Sequence, residues 1–421
     1  MAGLPVCPSS RRQFLRMLAT SPALPYLTLS PTILKAFGQE LFREGPANTD
    51  LISSPSEALT VFDFEAVAKK KLHVGHVAFL SGTEDEGTYR ANREGFDQYQ
   101  LRVRRLVNLS KMEMSISLFG TKWNTPIILC PCGALGALHP EGEVAVARAA
   151  KAKGHIQTLS TDASKSIEEV AAARGVPVWY QLYRNADWNQ TLAMIRRAEA
   201  AGSRVLAFTV DGNGKRIVVA RARRKNRQLC GSCHQLNPND QGLQLESFLS
   251  ERKPMRSTPP LGPPMMDEEG PTWDYVKRIK DATKMKVLVK GIVTREDAEL
   301  ALQHGADGVW ISNHGGRGEN SLRSTVECIP EVAAGVAGRA PIIVDGGFRR
   351  GTDISKALAL GATAVGVGRP YLFGLAAFGQ EGVETVLDIL DSELSMVMRQ
   401  AGTTSLAKIT KAYVVDRYGR R

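Results

Sequence analysis

From Pro126 onward the chain alternates short apolar runs rich in Val, Ile and Leu with Ala- and Glu-rich stretches whose apolar positions recur at helical spacing. The runs are Pro126–Cys130, His155–Leu159, Val178–Leu182, Val205–Val210, Lys286–Val289, Gly308–Ile311, Pro341–Val344 and Ala364–Val367. Strands that are apolar at nearly every position, with helices between them, predict a parallel sheet covered on both faces. Eight such units in succession predict an α/β fold of the closed (β/α)8 TIM-barrel type rather than an open doubly wound sheet. Ahead of the barrel, Phe62–Leu72 has apolar residues at helical spacing, so an N-terminal helical extension is expected. The rhythm breaks once. About sixty residues separate Asp211 from Trp273, where a βα connection needs roughly 2–6. This long loop after the fourth strand, residues 212–271, opens with a basic run from Lys215 to Arg227 and turns Pro- and Gly-rich from Pro254. The expected organisation is an N-terminal segment 1–37, a linker 38–60, a barrel domain 61–412 with its inserted loop, and a tail 413–421.

Composition narrows the class. Of 421 residues, 43% are apolar and 23% charged, which excludes a disordered chain. No apolar run approaches the roughly 20 residues of a spanning helix, which excludes a multi-span membrane protein. The net charge of +11 fits an anionic ligand, an acidic partner or a membrane surface. It does not select nucleic acid, and no nucleic-acid partner is expected. Ser10-Arg11-Arg12-Gln13-Phe14-Leu15-Arg16 precedes a weakly apolar stretch broken by Pro22, Pro25 and Pro31. Paired arginines before Phe-Leu resemble a twin-arginine export signal, so a periplasmic location is expected, with the cytoplasm as the alternative. No small-x-small cleavage site is evident, so the segment is expected to remain attached.

Active sites of such barrels lie at the C-terminal rim, so the residues closing each strand are informative. They are Pro131, Cys132 and Gly133 for the first, Ser160 for the second, Gln181 and Tyr183 for the third, and Thr209 and Asp211 for the fourth. Lys290 closes the fifth, Ser312-Asn313-His314-Gly315-Gly316-Arg317 the sixth, Asp345-Gly346-Gly347-Phe348-Arg349 the seventh and Gly366-Val367-Gly368-Arg369 the eighth. Loops are polar in general, but that does not explain this order of types. Glycines after the last two strands leave backbone N–H groups open to phosphate oxygens, and Arg349 and Arg369 add charge-assisted bonds. A phosphorylated ligand is therefore expected there. The Arg317 guanidinium can hold a carboxylate by two parallel bonds. His314 beside it can take a proton from the carbon or hydroxyl next to that carboxylate, and Asp211 can orient the imidazole and stabilise its charged form.

These strings resemble the FMN-dependent 2-hydroxy acid oxidase/dehydrogenase family. The resemblance also covers Ser81-Gly82-Thr83-Glu84-Asp85-Glu86 and His139-Pro140-Glu141-Gly142-Glu143, and it extends over about residues 60–412. Ser-Asn-His-Gly and Asp-Gly-Gly-x-Arg-Arg-Gly-Thr-Asp are its most specific parts. The resemblance implies FMN as cofactor. Pro131, Cys132, Gly133, Ser160, Gln181 and Thr209 would line its ring, Lys290 would stabilise negative charge on it, and Ser312 would contact it. Asp345, Gly346, Gly347, Arg349, Gly368 and Arg369 would hold ribityl and phosphate. His314 would be the catalytic base with Asp211 behind it. Arg317 and Tyr183 would bind a small-molecule carboxylate substrate and the oxygen on its second carbon, oxidised to a 2-oxo acid. Electrons would leave to oxygen, a quinone or a cytochrome. Two departures stand out. The family's N-terminal substrate tyrosine falls on Ala78. Its second carboxylate arginine falls on Val218 without gaps, or on Arg216 with a two-residue deletion, and Gly214-Lys215-Arg216 favours Arg216. A substrate of lactate type or larger is expected rather than glycolate.

Cys230-Gly-Ser-Cys233-His234 in the inserted loop has the spacing of a haem c attachment site. No haem-sized helical domain surrounds it, so a disulfide or paired thiols is the favoured reading and haem c the weaker one. The basic run reads as a solvated face, with docking of an acidic redox partner or peripheral membrane contact as the alternative. A homo-oligomer is expected. The alternative function is a flavin-binding electron relay or sensor without small 2-hydroxy acid turnover.

Overall fold

The computed structural model describes residues 51–419 apart from 82, 84, 85, 186 and 212–269. The twin-arginine segment, Arg216, Cys230, Cys233 and His234 all lie outside the described residues. One compact unit begins at Ile52.

Three helices come first: α1 (Phe62–Lys71), α2 (Val74–Ser81) and α3 (Gly87–Glu94). Helix α1 carries Asp63 and Glu65 in its first turn and three lysines in its last, each sign matched to the helix dipole. Then come β1 (Tyr99–Leu101) and a hairpin of β2 (Ile116–Leu118) and β3 (Thr121–Trp123). The barrel itself is a closed ring of eight parallel strands. In chain order they are β4 (Ile127–Leu129), β5 (Ile156–Ser160), β6 (Trp179–Leu182), β7 (Val205–Thr209), β8 (Lys286–Ile292), β9 (Gly308–Ile311), β10 (Ile342–Val344) and β11 (Ala364–Val367). Each coincides with one of the eight apolar runs. Between them lie α4 (Gly142–Lys153), α5 (Ile167–Arg174), α6 (Trp188–Ala200), α7 (Trp273–Ala282), α8 (Arg295–Gln303), α9 (Thr325–Val336) and α10 (Gly351–Leu360). The last helix, α11 (Arg369–Ala401), bends at Phe378–Gly379.

The core explains the near-continuous apolarity of the strands, which are buried along nearly their whole length against helices outside and side chains within. Inside the ring, Ile128, Ile156, Trp179, Val205, Leu288, Trp310 and Ile343 pack with Leu118 of the hairpin. Ile156, Trp179 and Val205 are the first residues of their strands, so the hairpin closes the N-terminal end of the barrel and leaves the other end for the site. The hairpin turns on Phe119 and Gly120, both at positive φ (50° and 79°), the geometry a two-residue connection requires.

Both domain edges differ from the expected 61 and 412. Pro55–Glu57 forms a short 3-10 helix packed on α11, so part of the expected linker belongs to the folded unit. The expected tail contains β12 (Val414–Asp416), which pairs antiparallel with β1. A three-residue strand is too short to show its period in sequence. Among the described residues no helix is long and apolar enough to cross a membrane.

Candidate active site

The C-terminal rim gathers the polar residues that close the strands. Asp211, just past β7, holds His314 Nδ1 at 2.8 Å through Oδ1. His314 Nε2 lies 3.2 Å from the Tyr183 hydroxyl, and the two rings stack at 14° with centroids 6.3 Å apart. One imidazole, on the loop after β9, is thus fixed on both nitrogens by residues that follow β6 and β7. Its backbone is unusual: His314 has φ of 58°, and the two residues after it are also left-handed. A non-glycine residue holds that conformation at a cost, and such strain concentrates at functional sites.

Lys290, near the end of β8, is buried and donates to Ser312 Oγ at 2.9 Å. Ser312 in turn donates to Asp345 Oδ1 at 2.8 Å. The ammonium stands 3.9 Å from Asp211 and 3.7 Å from Asp345. Burial alone favours the neutral amine, but the two carboxylates outweigh it and hold Lys290 above the usual lysine range. Burial likewise works against the Asp211 carboxylate, yet Lys290 and then His314 pull it below its ordinary value. A fixed positive charge therefore sits under the rim, flanked by two carboxylates. Burial, followed by Asp162 and Asp211, pushes the Tyr183 phenol well above its usual range, so it is a neutral donor.

On the side of β5 and β6, Ser160 Oγ donates to Gln181 Oε1 at 3.0 Å and Gln181 Nε2 donates to Thr209 Oγ1 at 3.0 Å. This chain holds the three residues in one row across adjacent strands. Cys130 and Cys132, on either side of Pro131, are free thiols, the first buried and the second half-buried. Burial raises both above the usual thiol range.

Arg317 and Arg369 are both anchored by the last turn of α2. Arg317 Nη1 donates to the Phe79 carbonyl at 2.8 Å, and its guanidinium lies 5.5 Å from the Phe79 ring centre. Arg369 Nε donates to the Leu80 carbonyl at 3.0 Å and Nη1 to Gly315 at 3.0 Å, over the Tyr89 ring. The segment carrying Ala78 is thus brought to the site, with a methyl where the family has a phenol. Arg349 is buried, which lowers its pKa to about 10, and Nη1 donates to the Phe348 carbonyl at 2.9 Å. Gly368 caps the start of α11, and a side chain there would begin in ordinary contact with Cys130 and Cys132, 3.9 Å from each. Gly346 and Gly347 have a reason the sequence did not reveal. A Cβ on Gly347 would stand 2.0 Å from the Asn92 carbonyl and one on Gly346 2.6 Å from Thr325 Oγ1, so both glycines admit close neighbours.

Asn92 is a site residue that sequence reasoning missed. Asn92 and Asn313 exchange side-chain amide bonds at 2.8 and 2.9 Å, and Asn313 also accepts from Gly316 N at 3.1 Å. The pair braces the loop carrying His314 against α3. One polar residue in an otherwise ordinary helix gave no signal. Among the described residues no cluster of His, Cys, Asp and Glu is suited to a metal ion.

Comparison with known proteins agrees with this geometry. The profile of the FMN-dependent dehydrogenase family matches residues 68–416. Glycolate oxidase 1 of Oryza sativa subsp. indica is 40% identical over 368 residues, covering 86% of this chain and 98% of the relative. The glycolate oxidase of Spinacia oleracea is 38% identical over 359 residues, covering 85% and 96%. Among solved structures, a mandelate oxidase with (S)-2-phenylpropionate superposes with a TM-score of 0.69 at 33% identity, covering 83% of this chain and 96% of that one. A Pediococcus acidilactici chain assigned as a lactate oxidase superposes with a TM-score of 0.74 at 33% identity, covering 86% and 95%.

The residues present fit FMN. Arg369 Nη2 is buried and has no hydrogen-bond partner among the described residues, as a phosphate-facing nitrogen would be before its anion is counted. The buried Lys290 ammonium suits a ring that gains negative charge, and Ser160, Gln181 and Thr209 offer both donors and acceptors to its polar edge. With family profile, relatives and site in agreement, the chain belongs to the FMN-dependent dehydrogenases and is an FMN-dependent enzyme of the 2-hydroxy acid oxidase group.

Proposed function

We propose that the site oxidises a 2-hydroxy acid of lactate size or larger to its 2-oxo acid, with His314 as the base. FMN, when bound, accepts the two electrons that leave the substrate's second carbon. The remaining steps belong to the chain. Arg317 pairs with the substrate carboxylate, and the Tyr183 hydroxyl donates to an oxygen of the substrate. His314 Nε2 takes the proton that oxidation of the CH–OH group releases to the protein. Asp211 keeps the Nδ1 proton in place, so Nε2 carries the lone pair that accepts a proton, and the Asp211 charge stabilises the imidazolium that forms. Lys290 favours electron density arriving on the cofactor. Ser160, Gln181, Thr209, Ser312 and the Pro131–Gly133 turn are assigned to the ring, and Asp345, Gly346, Gly347, Arg349, Gly368 and Arg369 to ribityl and phosphate.

The observation that carries this reading is the Asp211–His314–Tyr183 relay, with both imidazole nitrogens engaged and a guanidinium three residues away. Ala78 supports the larger substrate, since its methyl leaves room and removes one carboxylate donor. His314→Ala is the test. The variant should keep FMN and its yellow spectrum while anaerobic reduction by 2-hydroxy acids slows by about 10²–10⁴-fold. Reduction at the wild-type rate would refute the assignment, and a full panel of 2-hydroxy acids that leaves wild-type flavin oxidised would favour a relay or sensor.

We also propose export by the twin-arginine route and electron delivery to oxygen, a quinone or a cytochrome. The first is supported by Arg11-Arg12 and the stretch after it.

A further inference from the structure

The closed end of the barrel carries a surface that the chemistry above does not use. Residues 102–111 follow β1 and contain Arg102, Arg104, Arg105 and Lys111 but no acid. Residues 396–411, the end of α11 and the turns after it, contain Arg399, Lys408 and Lys411 and again no acid. Hydrogen bonds lace the two stretches together. Arg102 N donates to the Tyr413 carbonyl at 2.8 Å and Arg104 N to that of Ala401 at 3.1 Å. Arg102 Nη1 donates to the Ala412 carbonyl at 3.1 Å, and Arg105 Nη1 to that of Gln400 at 2.9 Å. Upstream in α11, Asp391 meets His155 at the base of β5, so the end of this helix stands away from the rim. All seven cations are exposed, and none pairs with an acid among the described residues. The next acid along the chain, Glu113, is held by Lys122 at 3.3 Å. Between the cations Leu106 is fully exposed, and Val103 and Met396 are half exposed. Leu106 has φ of 58°, a conformation that costs a leucine energy and here buries nothing in return.

We propose that this face docks the enzyme on an anionic lipid bilayer, with the cations against the headgroups and Leu106 inserted at their boundary with the acyl chains. Seven cations on one face are drawn to a negatively charged surface. A nucleic acid would answer the same charge but not the exposed apolar side chains. A fully exposed leucine flanked by arginines gives a protein partner little shape to match, and it suits a fluid phase. Apolar side chains among Lys and Arg are the pattern of an interfacial contact, in which the apolar group enters the bilayer and the cations stay with the phosphates. Docking by this face leaves the rim open to solvent, so a soluble acid still reaches the site. The inference is independent of the chemistry assigned to the rim and of the basic run at 215–227.

The experiment is co-sedimentation of the FMN-loaded full chain with vesicles, either phosphatidylcholine alone or phosphatidylcholine mixed with phosphatidylglycerol. The wild type should bind the mixed vesicles only, and binding should fall steeply between about 0.1 M and about 0.5 M salt. Arg104→Glu/Lys411→Glu should weaken binding by about thirtyfold or more, and Leu106→Ser by about tenfold, with Tm and FMN content unchanged. Leu106→Trp supplies a second readout that needs no loss of charge. Its fluorescence should shift to the blue on mixed vesicles and stay unshifted on phosphatidylcholine. Equal binding to both vesicles, or no binding to either, overturns the proposal. Undiminished binding by the charge-reversal variant overturns it too, since another surface would then make the contact. Capture by heparin without vesicle binding assigns the face to a soluble polyanion instead. A fall in molecular mass by light scattering in the charge-reversal variant, without vesicle binding by the wild type, assigns it to a second copy of this chain. Both results sink the membrane reading.

Discussion

At the scale of single residues, the site depends on how charge is distributed around one imidazole. Asp211 serves two neighbours, His314 at 2.8 Å and Lys290 at 3.9 Å. Asp211→Asn keeps the shape but replaces a charged acceptor with a neutral amide, which can also hold the imidazole in the wrong tautomer. Flavin reduction should slow by about 10²–10⁴-fold with FMN retained, measured by anaerobic stopped-flow absorbance. The same residue sets an acid limb. Burial works against its ionised form, but Lys290 and His314 more than offset this, so its native pKa is lowered from 3.8. A lowered carboxylate contributes stability that is present above 3.8 and is lost as pH falls through the native value. Denaturant titrations between about pH 5 and about pH 3 should therefore show the wild type losing more stability than Asp211→Asn. His314, Arg317, Lys290 and Asp211 were legible in the sequence, because each stands near or just past the end of a strand, and barrel strand ends are where ligands meet the chain. Asn92 was not, because its partner lies 221 residues away.

At the scale of elements, helices α2 and α3 do more than precede the barrel. The last turn of α2 offers carbonyls to Arg317 and Arg369, and α3 packs so closely on the β10 loop that position 347 must lack a side chain. Two alanine variants separate the reasons for glycine. Gly120 has φ of 79° and open space, so Gly120→Ala meets conformational strain alone and should cost about 1–2 kcal/mol. Gly347 has φ of 85° and the Asn92 carbonyl at 2.0 Å from the added Cβ, so Gly347→Ala should cost more and weaken FMN binding by moving α3. Urea unfolding with and without FMN would measure both. Equal costs, or unchanged FMN affinity in Gly347→Ala, would show that α3 yields without disturbing the site. Sequence spacing located the helix that became α1, but it did not disclose that α2 and α3 wall the site, since a helix of eight residues has too few turns to display a buried face.

At the scale of the whole molecule, the barrel separates a reactive end from a closed one, and the closed end has its own titration. His155, at the base of β5, is fully buried with Nε2 3.0 Å from Asp391 Oδ2 of α11, and Thr125 Oγ1 donates to the other carboxyl oxygen at 2.7 Å. Burial raises Asp391 to about 6 and lowers His155 to about 3, with Arg174 and Lys153 adding to the latter. A raised carboxyl contributes stability that is full below 3.8 and is lost as pH rises through about 6. Asp391→Asn preserves the shape and supplies a permanent donor to His155. Its Tm relative to wild type should therefore be more favourable at about pH 8 than at about pH 5, by scanning calorimetry. A difference that does not change with pH would place the Asp391 titration elsewhere.

The sequence by itself determined the barrel, the order of its strands and the chemistry at their ends. Those features are written locally: an apolar run fixes a buried strand, and the residue after it stands at the rim wherever the strand lies in the ring. It could not determine which distant groups share a proton, which carbonyl holds an arginine, or why Gly347 has no side chain. Those depend on which residues closure of the ring and docking of α2 and α3 bring within 3 Å of each other. Asp162 shows the division most clearly. In sequence it is one acid among forty-three Asp and Glu, and only the fold sets it over Gly133 beside Tyr183.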